Sequence, residues 1–338
     1  MGGRRARDRR QGRINPTFVM ETSVKKILAS LIAGLCITSA AVAQDFKNPI
    51  KIVVPFGAGG ATDVVARLVA PGLSKQLGQP VVVENKPGAS GQLGTAFVKS
   101  APADGSTFLL ALDHSVVVVP LMTPAANYDA IKDFVAVGQV ARFQWTLAVP
   151  TSSPAKNLNE FVDLVRKDPT QGNYGVPLQG GVPDIIGVAL SRKANIKMES
   201  VAFGGSAALM PQLLGGHLAA GVTGEPEGLQ MFKGGKVRIL AISGGKRSAF
   251  LPAVATFEEQ GFPGVNVNSF NAFFAPKALP RALAEKFNAA LRATLADKEV
   301  QQKIHEMSLE YAPADLDESA REVAKSYEFW RKAGVTPK

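Results

Sequence analysis

Apolar positions along this chain follow two alternating rhythms. Ile50, Ile52, Val53 and Val54 make a short apolar run, the pattern of a strand covered on both faces in a parallel sheet. Pro55 ends that run because it has no N–H to give to a neighbouring strand. Gly57, Gly59 and Gly60 supply a turn, and from Thr62 onward Val64, Val65, Leu68, Val69, Leu73 and Leu77 recur at helical spacing. The same order of strand, turn and helix returns along the chain. Strands are predicted at 81–84, 107–112, 134–140, 145–149, 173–176, 198–202 and 238–243. Helices are predicted at 92–100 and 157–167, behind Gly181 with Pro183 and Asp184 in the first turn, at 207–214, around 283–295 and at 316–333. This alternation predicts an α/β protein with largely parallel sheets.

The first 43 residues do not belong to that pattern. Residues 27–40 form an apolar run behind Lys25 and Lys26, and Ala41-Val42-Ala43 is a small-x-small cleavage site before Gln44. These are the three parts of a secretory signal peptide, and the apolar run is too short for a stable membrane span. The expected product is periplasmic, cleaved after Ala43. Met20 makes a more ordinary start than Met1, so 1–19 reads as an over-long N-terminus. Processing changes the charge picture: eight Lys and Arg and two acids leave with 1–43, so the formal net charge of +10 falls by six to +4. With no basic patch interleaved with aromatics, nucleic acid is not an expected partner. The single Cys, Cys36, leaves too, which removes any disulfide, thiol nucleophile or Cys-ligated metal from the mature chain. No cofactor is expected.

Enzyme motifs are thin. The strand, Gly57-Ala58-Gly59-Gly60-Ala61-Thr62, the helix, the next strand and Glu84 imitate a dinucleotide-binding unit. Thr62 stands where its third glycine belongs, however, and an exported protein has little access to NAD. No Gly-Lys-Ser/Thr follows the turn, and Gly88-Ala89-Ser90-Gly91-Gln92 lacks the last glycine of a nucleophile elbow. Asp113-His114-Ser115 is contiguous, and adjacent residues rarely face one another in a relay. The three histidines have no metal-ligand spacing. His217 reads as a loop residue and His305 as a residue of a solvated helix face. His114 ends a predicted strand, where ligands of open α/β sheets gather, so it is either a ligand contact or a structural residue.

The positive signal is that three strand-to-helix loops are glycine-rich: 57–60, 180–181 and 204–206. A glycine turn feeding a helix points free N–H groups and the positive end of the helix dipole outward. One such loop is an ordinary turn; three, divided between two halves of the chain, predict helix starts converging on a cleft for a small anion.

The residues that carry this signal resemble a known family. Ile52 through Asp63 (IVVPFGAGGATD) with Ala66-Arg67 resembles the opening of the Bug-type receptors, periplasmic solute-binding proteins of tripartite tricarboxylate transporters. The likeness continues through Leu77-Gly78-Gln79-Pro80, 81–89, Ala103-Asp104-Gly105, Leu213-Leu214-Gly215-Gly216, Ala241-Ile242-Ser243, Lys246-Arg247 and Phe273-Phe274-Ala275-Pro276. The resemblance implies a two-lobed periplasmic-binding-protein fold of type II, a Venus flytrap with two crossover segments: lobe one over 44–143 and 271–338, lobe two over 144–270. It implies a receptor, not an enzyme, that closes around a mono- or dicarboxylate for uptake or sensing, with membrane permease subunits or a sensor protein as partner and a monomeric state. The alternative is an exported α/β enzyme acting on a small carboxylate. Carried onto this chain, the ligand positions are Phe56, Gly57, Ala58, Gly59, Gly60, Thr62 and Asp63 in lobe one, and Gln179, Gly180, Gly181, Phe203, Gly204, Gly205 and Ser206 in lobe two. His114 joins them from its place in the strand order. Asp63 is read as a first-turn charge that orders its loop, as a water-mediated ligand contact, or as a helix-dipole charge alone.

The chain departs from the family pattern in lobe two. A Ser-rich loop with a His is usual where Leu178 to Asp184 stand here, Tyr-Lys-Gly is frequent at Phe203-Gly204-Gly205, and a common Asp is replaced by Ala219. A hydroxyl and a cation are therefore missing. In lobe one, Pro71-Gly72 falls inside a helix that is normally continuous, which predicts a kink.

Overall fold

The computed structural model describes residues 45–178 and 180–332, together with Gly2. Except for Gly2, the expected leader, its alternative starts and its processing site at Ala43 lie outside the described residues, as does Gln179.

The chain opens with β1 (Ile50–Val54), α1 (Ala61–Leu77), β2 (Val81–Asn85), α2 (Gln92–Lys99) and β3 (Thr107–Leu112). β1 lies between β2 and β3, parallel to both, and Ile52, Val53 and Val54 are fully buried. A π-helical turn, His114–Val118, leads into the short helix α3 (Val119–Met122). There follow β4 (Phe134–Pro150), α4 (Leu158–Lys167), β5 (Asn173–Val176), α5 (Val182–Ala194), β6 (Glu199–Ala202) and α6 (Ser206–Leu214). The chain continues with β7 (Ala220–Gly224), α7 (Glu225–Lys233), β8 (Val237–Ile242), β9 (Asn268–Pro276), α8 (Arg281–Leu295), α9 (Lys298–Glu306), β10 (Glu310–Tyr311) and α10 (Leu316–Lys332).

β4 organises the sheet. The expected strands at 134–140 and 145–149 are one strand of 17 residues. No turn interrupts it because Arg142, Phe143 and Gln144 pair with Phe270, Ser269 and Asn268 of β9. Its first part belongs with β9, β3, β1 and β2; its last part, Trp145 to Pro150, pairs antiparallel with β7 and β8, β7 pairs with β5, and β5 with β6. The parallel pairs β1–β2, β1–β3, β5–β6 and β5–β7 are the ones the strand–helix alternation demands, since parallel neighbours need a crossover. Trp145 ties the passage from one set to the other: its indole N–H donates to Ser269 Oγ at 2.9 Å, and its backbone N–H donates to Ser243 Oγ at 2.8 Å.

The core around β1, β3 and β9 is aromatic. Phe287 of α8 stacks on Phe108 at 3.9 Å and meets Phe273 edge-on at 5.2 Å. α1 lays Val65, Ala66, Val69, Ala70, Leu73 and Leu77 on this core and ends at Gly78, whose φ of 64° suits a left-handed cap. Pro71-Gly72 leaves α1 unbroken across its 17 residues. Gly72 has a packing reason instead: a Cβ there would fall 2.3 Å from Thr294 Cγ2 of α8, so the two helices cross backbone-close at that point. A smaller apolar cluster, including Leu209, Leu213, Leu229, Val237, Ile239 and Ile242, lies beneath α6 and α7. Among the described residues, no helix is long and apolar enough to cross a membrane.

Candidate functional site

A cleft of about 850 Å³ opens between the loops that leave the two sets of strands. Phe56 through Thr62 line it from the β1–α1 side, and Phe203, Gly204, Gly205, Ser206 and Ala207 line it from the β6–α6 side. Two of the three expected glycine loops are thus brought to one space. The amides that start α1 and α6 have no acceptor within their own helices, so this is where an anion gains most from backbone donors.

The first loop is held by Asp63, which is 3% exposed and does not line the cleft. Its carboxylate accepts from the Gly59 N–H at 2.9 Å, from Asn85 Nδ2 at 2.9 Å and from Arg67 Nε at 3.1 Å. Burial opposes the ionised form, but these donors and the Arg67 charge outweigh it and hold the carboxyl below the usual Asp range. Asn85 also donates to the Phe56 carbonyl at 3.1 Å, so both shoulders of the loop are tied down. Of the three readings of Asp63, this geometry is that of a charge ordering its loop. Gly59 has a φ of 83°, and its open surroundings make backbone conformation the reason for glycine there. Thr62 turns its hydroxyl to Asn271 Oδ1 at 3.1 Å. Asn271, 1% exposed, lines the cleft and keeps Nδ2 without a partner among the described residues.

His114, Gly180 and Gly181, the other expected positions among the described residues, are not part of that lining. His114 is fully buried in the π-helical turn after β3, and burial drives its pKa down to about 3, which keeps the ring neutral. Neither ring nitrogen has a partner among the described residues. Its ring packs on Gly181 at the start of α5, where a Cβ would fall 2.0 Å from Cε1. Gly180, with a φ of 63°, gives its N–H to Asp184 Oδ2 at 2.5 Å. Gly181 and His114 therefore form a contact between the ends of β3 and β5, and Pro177 and Leu178 are the described members of that loop that line the cleft. Of the remaining histidines, His217 is exposed in its loop, and His305 is exposed on α9 with its ring 4.9 Å from Phe250.

Sequence reading missed the wall formed by β4, β9 and α7, with Met210 of α6 and Met307 beside it. Phe143, Trp145, Met210, Glu227, Gln230, Met231, Asn271 and Met307 all line the cleft, and none was expected there. The signal existed: Gly224-Glu225-Pro226-Glu227 has a glycine N-cap, a proline in the first turn and first-turn acids, as the start of α5 does. Gly228 lets α7 approach β4, since a Cβ there would meet Thr146 Oγ1 at 2.4 Å. Glu225 is buried, accepts from the Ser248 hydroxyl, and is pushed up to about 7 by desolvation. Burial also raises Glu227. Asp113, 1% exposed beside β9, is raised to about 7 by burial despite donors from Ser269 and the Phe270 N–H. Among the described residues, no group of three or more His, Cys, Asp or Glu is placed to hold a metal ion.

The model of the tripartite tricarboxylate transporter family receptor matches residues 65–332. A UPF0065 protein of Bordetella bronchiseptica is 31% identical over 306 residues, covering 90% of each chain. The solved structure of the periplasmic binding protein BugD is 29% identical with a TM-score of 0.78, covering 86% of this chain and 99% of that one. MatC from Rhodopseudomonas palustris, solved with bound malate, is 27% identical with a TM-score of 0.77, covering 85% and 98%.

Proposed function

This chain belongs to the tripartite tricarboxylate transporter receptor family, and we propose that it is a periplasmic receptor whose cleft closes on a small mono- or dicarboxylate. The observation that carries this reading is the meeting of two glycine-rich helix starts, at α1 and α6, on one cleft. Backbone amides and helix dipoles favour a negative group there, while Phe56 and Phe203 cover an apolar body. The malate bound to MatC, a relative of the same fold, supports the carboxylate class. We assign ligand contact to Phe56, Gly57, Ala58, Gly60, Thr62 and Phe203 to Ser206. Gly59 and Asp63 shape the first loop, and Gly180, Gly181 and His114 brace the two sides behind it.

The lobes are read as 44–143 with 271–338, and 144–270, with β4 and the entry to β9 as the two crossovers. Strand pairing supports that division, because Gln144 is the last β4 residue paired with β9 and Trp145 the first paired with β7. Receptor action, not turnover, is assigned on the strength of the family. The chain is exported with cleavage after Ala43, acts as a monomer, and hands its ligand to membrane permease subunits or a sensor.

A thermal-shift panel tests the ligand class. A ligand bound only by the native state stabilises it by about 2.7 kcal/mol at a hundred times its dissociation constant. Upward shifts confined to some acids, and erased when the carboxylate becomes an amide, are the expected result. Stabilisation by neutral sugars with every acid silent would remove the anion reading and leave only the fold.

A further inference from the structure

Glu227 is the sole charged side chain among the described residues lining the cleft; no Lys, Arg or His accompanies it. It is held there by the first turn of α7, fixed by Pro226 and by the close approach of Gly228 to β4. Its carboxylate takes a hydrogen bond from its own backbone N–H and meets no cation among the described residues. A plain dicarboxylate entering this cleft brings Glu227 no cation and, wherever that carboxylate is ionised, sets like charge beside it. The neighbours of Glu227 are aromatic. A Cβ on Gly224 would stand 2.7 Å from Glu227 Oε2 and 3.4 Å from Phe143 Cε2, so the carboxylate and the ring flank the same point. Phe143 and Trp145 pack at 5.4 Å with a 58° tilt, and both line the cleft. An unpaired carboxylate beside aromatic rings is the chemistry that receives an organic cation. Across the cleft, the unpartnered Asn271 Nδ2 and the amides of the α1 and α6 starts are donors for a carboxylate.

We propose that the physiological ligand is a zwitterion, a small carboxylic acid bearing an ammonium or quaternary nitrogen, whose nitrogen seats on Glu227 against Phe143 and Trp145. This rests on the reading of the cleft as a carboxylate receptor and narrows it. Burial also raises the pKa of Glu227, which a ligand cation would reverse by restoring the charged form's partner.

Calorimetry on the intact folded chain with matched acids tests it: aspartate against succinate, glutamate against glutarate, and glycine betaine against 3,3-dimethylbutanoate. In at least one pair the nitrogen-bearing member should bind about tenfold tighter or more. A win for the amino acids assigns an ammonium, and a win for betaine a quaternary nitrogen. Glu227→Gln should erase that advantage while leaving the ligand-free thermal midpoint in place. Should E227Q lose its fold, the wild type decides alone: succinate should bind more tightly as the pH is lowered and Glu227 takes a proton, while aspartate gains nothing. Nitrogen-free acids that bind as tightly as their partners, with E227Q unchanged or improved, overturn the inference and leave the carboxylate receptor standing. Silence from all six acids overturns it too, and if neutral sugars then stabilise the protein, the parent reading falls with it.

Discussion

The starts of α1 and α7 have almost the same local design and come to opposite uses. Each helix has a glycine at the N-cap, Gly60 or Gly224, and an acid at its third position, Asp63 or Glu227. Four residues further on, α1 has Arg67 and α7 has Met231. That difference on the same helix face is one of two that separate the acids; the other is whether a loop amide reaches back to the carboxylate, as Gly59 does to Asp63. Asp63 is closed off by Arg67, Asn85 and the Gly59 N–H, and it shapes a loop without reaching the cleft. Glu227 has no such partner and lines the cleft. α5 repeats the design a third time, with Asp184 four residues before Val188; its carboxylate takes the Gly180 N–H and leaves Oδ1 without a partner among the described residues. An acid in a helix's first turn is therefore ambiguous until both the residue one turn later and the loop amide before the helix are placed.

The largest effect that tests this contrast is on stability. Asp63→Ala strands the Gly59 N–H, Asn85 Nδ2 and the half-exposed Arg67 guanidinium, and should cost about 1–3 kcal/mol in chemical denaturation, with ligand affinity lost alongside. Glu227→Gln should change stability by less than about 1 kcal/mol, because no partner is orphaned. Equal losses for the two variants would erase the distinction. Next in size are the glycines that brace the loops. Gly181→Ala drives a Cβ into the His114 ring and should cost about 1–3 kcal/mol by overpacking. Gly59→Val, forced to a φ of 83°, should lose a similar amount and most of the binding.

The pH dependence separates the regions again. Asp113 and Glu225 titrate near 7 in the fold because they are buried, and near 4 in the unfolded chain. Between those values the folded protein holds more protons than the unfolded one, so stability falls as pH rises, by up to about 1.4 kcal/mol per pH unit for each group. Asp113→Asn and Glu225→Gln should each flatten the stability profile over that window. Asp63, with its pKa lowered, contributes the other way: its stabilisation is present at neutral pH and is lost as pH falls below the ordinary carboxylate range. A profile unchanged by either substitution would mean the two acids are not held neutral by burial. The smallest expected effect is at Gly204, where a Cβ meets nothing within 4 Å and φ is not left-handed; Gly204→Ala should stay within about 0.5 kcal/mol.

Much of the first loop was legible from residues alone, because its design is local. The glycines, the strand before them and the periodic helix after them all lie within 50–77, and each makes its physical demand on its neighbours. The second wall was not legible, because it depends on distant pairing. Trp145 and Phe143 reach the cleft only because β4 continues past the point where β9 leaves it and pairs with β7, nearly eighty residues later in sequence. Apolar runs such as 134–140 and 145–149 carry no mark of that continuity. His114 shows the opposite failure: its place at the end of β3 was readable, but its packing against Gly181 belongs to a contact of two strand ends far apart in the chain. Pro71-Gly72 predicts a kink, and α1 runs through it as one helix; that Gly72 meets Thr294 of α8 is something local propensity cannot say.

Both walls matter only if one ligand engages them together, since a ligand contacting both sides favours whichever arrangement brings them closest. Small-angle scattering of the folded chain, free and saturated with the acid that gives the largest thermal shift, measures this directly. The saturated sample should have a smaller radius of gyration, and the same reduction should be absent when that acid is replaced by its amide. A saturated complex whose scattering profile matches that of the free protein would contradict closure of the cleft on its ligand.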